Sequence, residues 1–150
     1  MGLFDPDSFM TAQQEGNLST QRLVITPGVY PACIENVDIK SGEKDEREWA
    51  ALDVTWQVED EGVKAALKRE VVKVHQQFFL DLTEGGDLDR AEGRNVDLGR
   101  LLKAVGLHGK NWSPADLTGR RALVHVKGIP IKDSPDGDVR SEVRGVAALV

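Results

Sequence analysis

The sequence predicts an all-β domain with one main helix, and the spacing of its apolar residues is the reason. Apolar side chains recur at every second position within residues 47–58 and again within 70–82, which is typical of strands with one buried face. Residues 95–107 instead carry them at helical spacing. The predicted order is strand, strand, strand, helix, strand, strand. This is the layout of the five-stranded OB-fold, a Greek-key β-barrel with its helix between strands 3 and 4.

The first 26 residues predict an N-terminal arm, and residues 27–150 predict the OB-fold domain. Asp5 before Pro6 is a favourable helix start, so we expect a short helix over residues 6–14. Two interpretations of the arm stay open. It is either loosely held, or it docks on its own domain or on a second subunit.

Turn signals separate the predicted strands. Pro27 and Gly28 precede the first strand, and Pro31 within it lacks an amide donor, which predicts an edge position or a bulge. Residues 41–48 predict a charged hairpin loop, and residues 63–67 predict a helical turn. The predicted strands are residues 29–39, 47–58, 70–82, 119–127 and 139–150.

Strand alternation assigns the residues of strands 2 and 3 to two faces. Trp49 on strand 2 is assigned to the outer face. So are the residues that alternate with the apolar positions of strand 3, which are Lys73, His75, Gln77 and Phe79. The residues assigned to the core are Ala50, Leu52, Val54, Trp56, Val58, Val72, Val74, Phe78 and Leu80.

Composition narrows the class of protein. A chain of 150 residues predicts a single domain. One cysteine, Cys33, cannot form an internal disulfide, and the first residues show no secretory signal, so we expect a reducing cytoplasm. No apolar run reaches the length of a membrane helix, so no membrane partner is expected.

The net charge and the distribution of charge along the chain support opposite conclusions about a nucleic-acid partner. The net charge of −6 argues against a nucleic-acid partner. Residues 94–150 nevertheless carry ten Lys/Arg against six Asp/Glu, whereas residues 1–93 carry nine against nineteen. Such asymmetry between two halves of a chain indicates an anionic partner, although charge runs are often only solvated surface.

Enzyme signatures are missing from the sequence. It contains no phosphate-binding glycine loop, no HExxH and no CxxC, so neither a cofactor nor a metal is expected. A nuclease-like set of Asp53, Glu70 and Lys73 is one hypothesis, since two carboxylates and a lysine can bind Mg²⁺ and activate water. Glu70 and Lys73 are three residues apart, however, and so point to opposite faces of a strand.

A binding surface for single-stranded nucleic acid is better represented than a catalytic site. Such a surface needs cations for phosphates and flat rings for bases. In the alternative interpretation, the exposed rings cover the arm or a partner protein, and the cations are ordinary surface. The candidate DNA-binding residues are Trp49, Lys73, Phe79, Arg121, Lys127, Arg140 and Arg144, with Trp112 as a further candidate for stacking.

Six segments of the chain carry a family resemblance. They are Phe4-Asp5-Pro6-Asp7-Ser8-Phe9, Pro27-Gly28-Val29-Tyr30-Pro31-Ala32, Leu52-Asp53-Val54-Thr55-Trp56, Phe79-Leu80-Asp81-Leu82-Thr83, Asn95-Val96-Asp97-Leu98-Gly99-Arg100-Leu101 and Val124-His125-Val126-Lys127. Together they resemble a family of phage and prophage proteins long labelled a domain of unknown function. The resemblance covers nearly the whole chain and implies an OB-fold single-stranded DNA-binding protein. It also implies a role in phage DNA replication or recombination, in the cytoplasm of the bacterial host.

Three hypotheses about function follow. The first is a non-enzymatic, sequence-tolerant single-stranded DNA binder that protects replication intermediates, with a homo-oligomer formed through the arm or a barrel edge as a further expectation. The second is a protein–protein interaction module of phage replication or assembly machinery on the same fold, because a fold does not determine a function. The third is the small metal-dependent nuclease.

Overall fold

The computed structural model describes residues 3–149 and is built around five strands that close into a ring. The prediction of a mostly β, five-stranded domain is confirmed. The strands are β1 (Gly28–Lys44), β2 (Arg47–Val58), β3 (Val72–Phe79), β4 (Arg121–Pro130) and β5 (Val139–Ala147). Around the barrel they follow the order β1-β2-β3-β5-β4, and β4 pairs again with β1.

The long first strand closes the barrel because it pairs with two neighbours. Its first residues, from Gly28 to Cys33, run antiparallel to β4, and the stretch from Ala32 to Lys44 runs antiparallel to β2. A bulge between Ile34 and Asn36 lies where the strand passes from one neighbour to the other. Bulges increase strand twist and bend, which a small closed barrel requires. At the opposite side, β3 and β5 meet in parallel.

The helices differ from the prediction of one main helix. A helix of nine residues, α3 (Val96–Ala104), lies between β3 and β4 and is shorter than the predicted 95–107. Two shorter helices accompany it: α1 (Pro6–Thr11), which ends before the predicted residue 14, and α2 (Glu61–Leu67) between β2 and β3. A single 3-10 turn, Pro114–Leu117, precedes β4.

The hairpin between β1 and β2 was wrongly predicted as a loop over residues 41–48. Both strands continue through these charged residues, and only Asp45 and Glu46 form the turn, with φ of 53° and 62°. Two consecutive positive φ angles are characteristic of a type I′ turn, whose twist matches that of the flanking strands. The side chains here are solvated on both faces, so no apolar alternation marked the strands.

The predicted alternation is confirmed from Leu52 to Val58 and within β3, but not at Ala51, which is fully buried beside Leu52. Leu52, Val54, Trp56, Val72 and Val74 are buried in a single hydrophobic core, and Lys73, His75, Gln77 and Phe79 are exposed. Gln76, the polar residue on the inner face of β3, accepts a hydrogen bond of 3.0 Å from the indole Nε1 of Trp56. This bond satisfies both polar groups.

The arm reaches the core at one residue. Residues 3–24 are exposed, but Ile25 is buried in the barrel core. The boundary predicted at residue 26 therefore lies one residue beyond the first core contact of the chain.

Two other predicted boundaries differ. The predicted end of strand 5 at Val150, like Met1 and Gly2, lies outside the described residues, and β5 ends at Ala147. The predicted third strand, 70–82, shortens to Val72–Phe79. Within residues 3–149, no helix is long and apolar enough to cross a membrane.

Candidate nucleic-acid interface

The outer face of β2 and β3 carries rows of opposed residues. From one end to the other, the pairs are Ala51 with Phe79, Asp53 with Gln77, Thr55 with His75, and Gln57 with Lys73. The row that ends at Lys73 continues through Cys33 of β1 to Arg121 of β4. At a strand spacing of about 4.8 Å, Lys73 and Arg121 lie about 14 Å apart along this row.

Two aromatic rings meet at the hairpin end of this face. The rings of Trp49 and Phe79 have centroids 6.4 Å apart and planes inclined by 65°, an edge-to-face contact. Phe79 keeps 68% of its surface exposed despite this contact. An exposed phenylalanine beside a second ring is a surface on which a nucleobase can stack.

A glycine on the neighbouring strand positions the tryptophan. Gly42 lies directly opposite Trp49 in the β1–β2 pairing. A Cβ atom at residue 42 would lie 2.9 Å from the indole Nε1 of Trp49, which is closer than side-chain contacts allow. The absence of a side chain at Gly42 therefore lets the indole lie across the strand and pack against its backbone.

Trp112 does not belong to this face. It lines a groove at the end of the barrel beside Leu80 and Leu98, and it packs against the core. The structure brings together only two of the three rings that the sequence singled out for stacking.

The predicted phosphate-binding cations are mostly paired with carboxylates. Lys73 Nζ lies 2.9 Å from an oxygen of Glu35. Arg140 and Arg144 both bind Glu142, with N–O distances of 2.8 and 3.1 Å. These pairs leave less positive charge on the face than the sequence indicated.

Of the five predicted phosphate-binding cations, Arg121 is bound most closely by a carboxylate. Its Nε donates to Glu59 at 3.1 Å, and its Nη2 donates to the second oxygen of the same carboxylate. This bidentate hydrogen bond raises the pKa of the Arg121 guanidinium. Lys127, by contrast, has no carboxylate within 4.0 Å among residues 3–149.

Carboxylates lie in the middle of the same face. Asp38 of β1 is directly opposite Asp53 of β2. Lys40 neutralises one of them, since its Nζ lies 2.7 Å from an Asp53 oxygen, and this hydrogen bond raises the pKa of Lys40. The aromatic end and the cationic end of the face are thus separated by an acidic middle.

The nuclease-like set is not assembled. Glu70 is exposed and precedes β3, while Lys73 lies within that strand and pairs with Glu35. Asp53 binds Lys40 instead. Among residues 3–149, no group of three or more His, Cys, Asp or Glu side chains is arranged to hold a metal ion.

The single cysteine is half-buried on β1. Burial is the main cause that raises the pKa of the Cys33 thiol, the nearby Glu59 carboxylate adds to it, and Arg121 opposes it. A raised pKa lowers the thiolate population, so this environment does not activate a nucleophile.

Sequence reasoning missed the carboxylate partners Glu35, Glu59 and Glu142. Glu35 of β1 and Glu59 at the end of β2 each lie two strands away from the cation they bind. Glu142 lies two residues from both Arg140 and Arg144 on β5. The alternation of β5 contains one signal, because Glu142 separates Arg140 from Arg144 on one face of that strand. The other pairs depend on strand register, which no local pattern carries.

Comparison of the sequence with models of known protein families and with curated proteins found no match.

Proposed function

We propose that the barrel is an OB-fold and that the protein binds single-stranded DNA, without catalysis and without sequence preference, on the outer face of β2 and β3. The strand order β1-β2-β3-β5-β4 with a parallel β3–β5 contact supports the fold assignment. OB-folds bind oligonucleotides on the face of strands 2 and 3 and at the β1–β2 and β4–β5 loops.

The Trp49–Phe79 pair is the observation that carries this proposal. Both rings lie on the outer face of strands 2 and 3, at the end next to the β1–β2 turn. Base stacking on an aromatic ring is tolerant of sequence because every base has a flat face, and it contributes about 1–3 kcal/mol per base.

Cations at the other end of the face would bind the phosphates. Lys73 and Arg121 lie in one row across the sheet, and Lys127 of β4 has no carboxylate partner among the described residues. Exposed ion pairs contribute only about 0–1 kcal/mol each. A phosphate can therefore replace Glu35 beside Lys73, or Glu59 beside Arg121, at a small cost in free energy.

The setting of this activity rests on the resemblance to phage and prophage single-stranded DNA-binding proteins. In that setting the protein protects single-stranded intermediates of phage DNA replication or recombination in the cytoplasm of the bacterial host. DNA binding itself rests on the surface described above and is tested independently of the setting.

Titration with poly-dT at two salt concentrations tests the proposal. Tryptophan fluorescence should be quenched on binding, and a Trp49→Phe variant should lose most of this quenching while Trp56 and Trp112 remain. Affinity should fall as salt rises, with a log–log slope no steeper than about −0.7 for each phosphate bound. Absence of binding at low salt would refute the proposal.

A protein–protein interaction module is the second candidate, and the acidic middle of the face favours it. Asp38 and Asp53 lie opposite each other, where a phosphate backbone would be repelled. An aromatic pair with one exposed ring, beside carboxylates, also suits a basic protein partner. Binding of a basic protein to this face, together with no affinity for poly-dT, would favour this candidate.

A further inference from the structure

An apolar groove of about 530 Å³ opens at the end of the barrel, away from the β2–β3 face. Its floor includes Leu52, a core residue, and its rim includes Ile39 of β1, which is 51% exposed. The partly exposed isoleucine and the buried leucines beside it form an apolar patch that water can reach, and such patches mark interaction sites. The apolar lining residues are Ile39, Leu52, Leu80, Leu88, Leu98 and Trp112.

Two cations flank this apolar lining. Arg90 and Lys110 both line the groove, and neither has a carboxylate within 4.0 Å among residues 3–149. No acidic residue is part of the lining. The groove therefore fits a segment that combines apolar side chains with negative charge.

The N-terminal arm has this composition. Phe4 and Phe9 pack against each other with ring centroids 5.0 Å apart, yet they remain 64% and 53% exposed. Asp5 and Asp7 lie between them in the sequence. Hydrogen bonds from Ser8 and from the backbone hold the pKa of Asp5 below its usual value, so this carboxylate is charged at neutral pH.

The arm does not fill the groove of its own chain. All residues from 3 to 24 are exposed, and the arm joins the barrel at Ile25, beside the beginning of β1. Ile39 of the groove is eleven residues beyond Gly28 on β1, or up to about 36 Å along the strand. Because every residue of the arm up to residue 24 is exposed, the arm leaves the groove of its own chain open.

We propose that the arm of one copy docks in the groove of a second copy, with the Phe4–Phe9 pair on the apolar lining and Asp7 facing Arg90 and Lys110. Each chain has one arm and one groove, so reciprocal docking closes a twofold dimer. The thirteen residues from 12 to 24 extend to at most about 45 Å, which lets the arm cross to a neighbouring barrel. This dimer does not depend on DNA binding.

Sedimentation of the full-length protein over a concentration range tests the apolar part. Phe4→Ser with Phe9→Ser should weaken dimerisation by about tenfold or more, because buried aromatic anchors dominate interface energy. The control is Leu18→Ser, an arm residue that is 95% exposed and lies outside α1, and it should leave the dimer unchanged. A protein that is monomeric at every concentration, or a dimer insensitive to the Phe substitutions, would overturn the proposal.

A charge exchange tests which copy supplies the arm. Asp7→Lys and Arg90→Glu should each weaken self-association by about tenfold, because like charges then meet at the interface. A mixture of the two variants should form heterodimers, since the arm of the Asp7→Lys chain meets the groove of the Arg90→Glu chain and the other contact is unchanged. If each arm instead docked in its own groove, mixing would restore no association, and the assignment to a second copy would be wrong.

Discussion

Replacing Phe79 by alanine tests whether the surface around this ring binds DNA or only packs within the protein. Phe79 exposes 68% of its surface, and its one ring contact among residues 3–149 is the edge-to-face pair with Trp49. An aromatic pair contributes about 0.5–1.5 kcal/mol, so Phe79→Ala should lower the free energy of unfolding by no more than about 1.5 kcal/mol. If a base stacks on this ring, the same change should weaken binding by about 1–3 kcal/mol, which is a factor of about 5–150 in the dissociation constant.

Two reference variants calibrate this experiment. Val29→Ala removes another exposed apolar side chain from a strand, at 58% exposure on β1, and should change neither stability nor binding by more than about 0.5 kcal/mol. Trp56→Ala empties a fully buried site and removes the hydrogen-bond donor of Gln76. It should lower the free energy of unfolding by about 3–5 kcal/mol.

Thermal or denaturant melts and oligo-dT titrations of the three variants give both quantities. A large loss of stability in Phe79→Ala, with undiminished DNA binding by the folded fraction, would refute the assignment of this face to DNA. A stable Phe79→Ala protein with unchanged affinity would refute it equally. In the second case the Trp49–Phe79 pair would have to serve another partner.

Three further variants test single features of the structure. Glu59→Gln removes the carboxylate bound to Arg121, so it should strengthen single-stranded DNA binding. The log–log slope of affinity against salt concentration should also become steeper by about 0.7. An unchanged slope in the titration would show that Arg121 contacts no phosphate. Gly42→Ala places a Cβ against the indole of Trp49, and a shift of tryptophan emission with nearly unchanged unfolding free energy is expected; an unaltered spectrum would contradict the close packing. Asn95→Ala removes a side chain that accepts one hydrogen bond and donates two across the loop before α3, and it should cost about 1–3 kcal/mol of stability in a denaturant melt.

The alternation of β2 and β3 could be predicted because burial of one face requires an apolar residue at every second position of the sequence. Every second residue from Leu52 to Val58 is buried, and the same holds for Val72 and Val74. The hairpin over residues 41–48 has no such pattern, because its strands extend beyond the core and both of their faces are solvated. Local patterns therefore reveal strands where they cover a core and miss them where they extend into water.

Asn95 shows a second limit of local reasoning. The sequence predicts a helix cap at this position, and the structure does place Asn95 there, but with φ of 49° and without a side-chain bond to the helix. Its side chain instead bonds the backbone of Asp81 and Asp89. The residue type favoured for a cap is also favoured for a left-handed turn, and only tertiary contacts decide between the two roles.

The ion pairs of the outer face determine which measurement bears most directly on function. A cation bound to Glu35, Glu59 or Glu142 releases few counterions when a phosphate replaces that carboxylate, because the carboxylate must then recruit a cation from solution. The net salt dependence of binding can therefore be shallow although several cations contact phosphates. Affinity would then come mainly from stacking on Trp49 and Phe79, which is insensitive to salt. A shallow slope with strong fluorescence quenching thus agrees with DNA binding on this face, and loss of affinity in Phe79→Ala is the result on which the proposal depends.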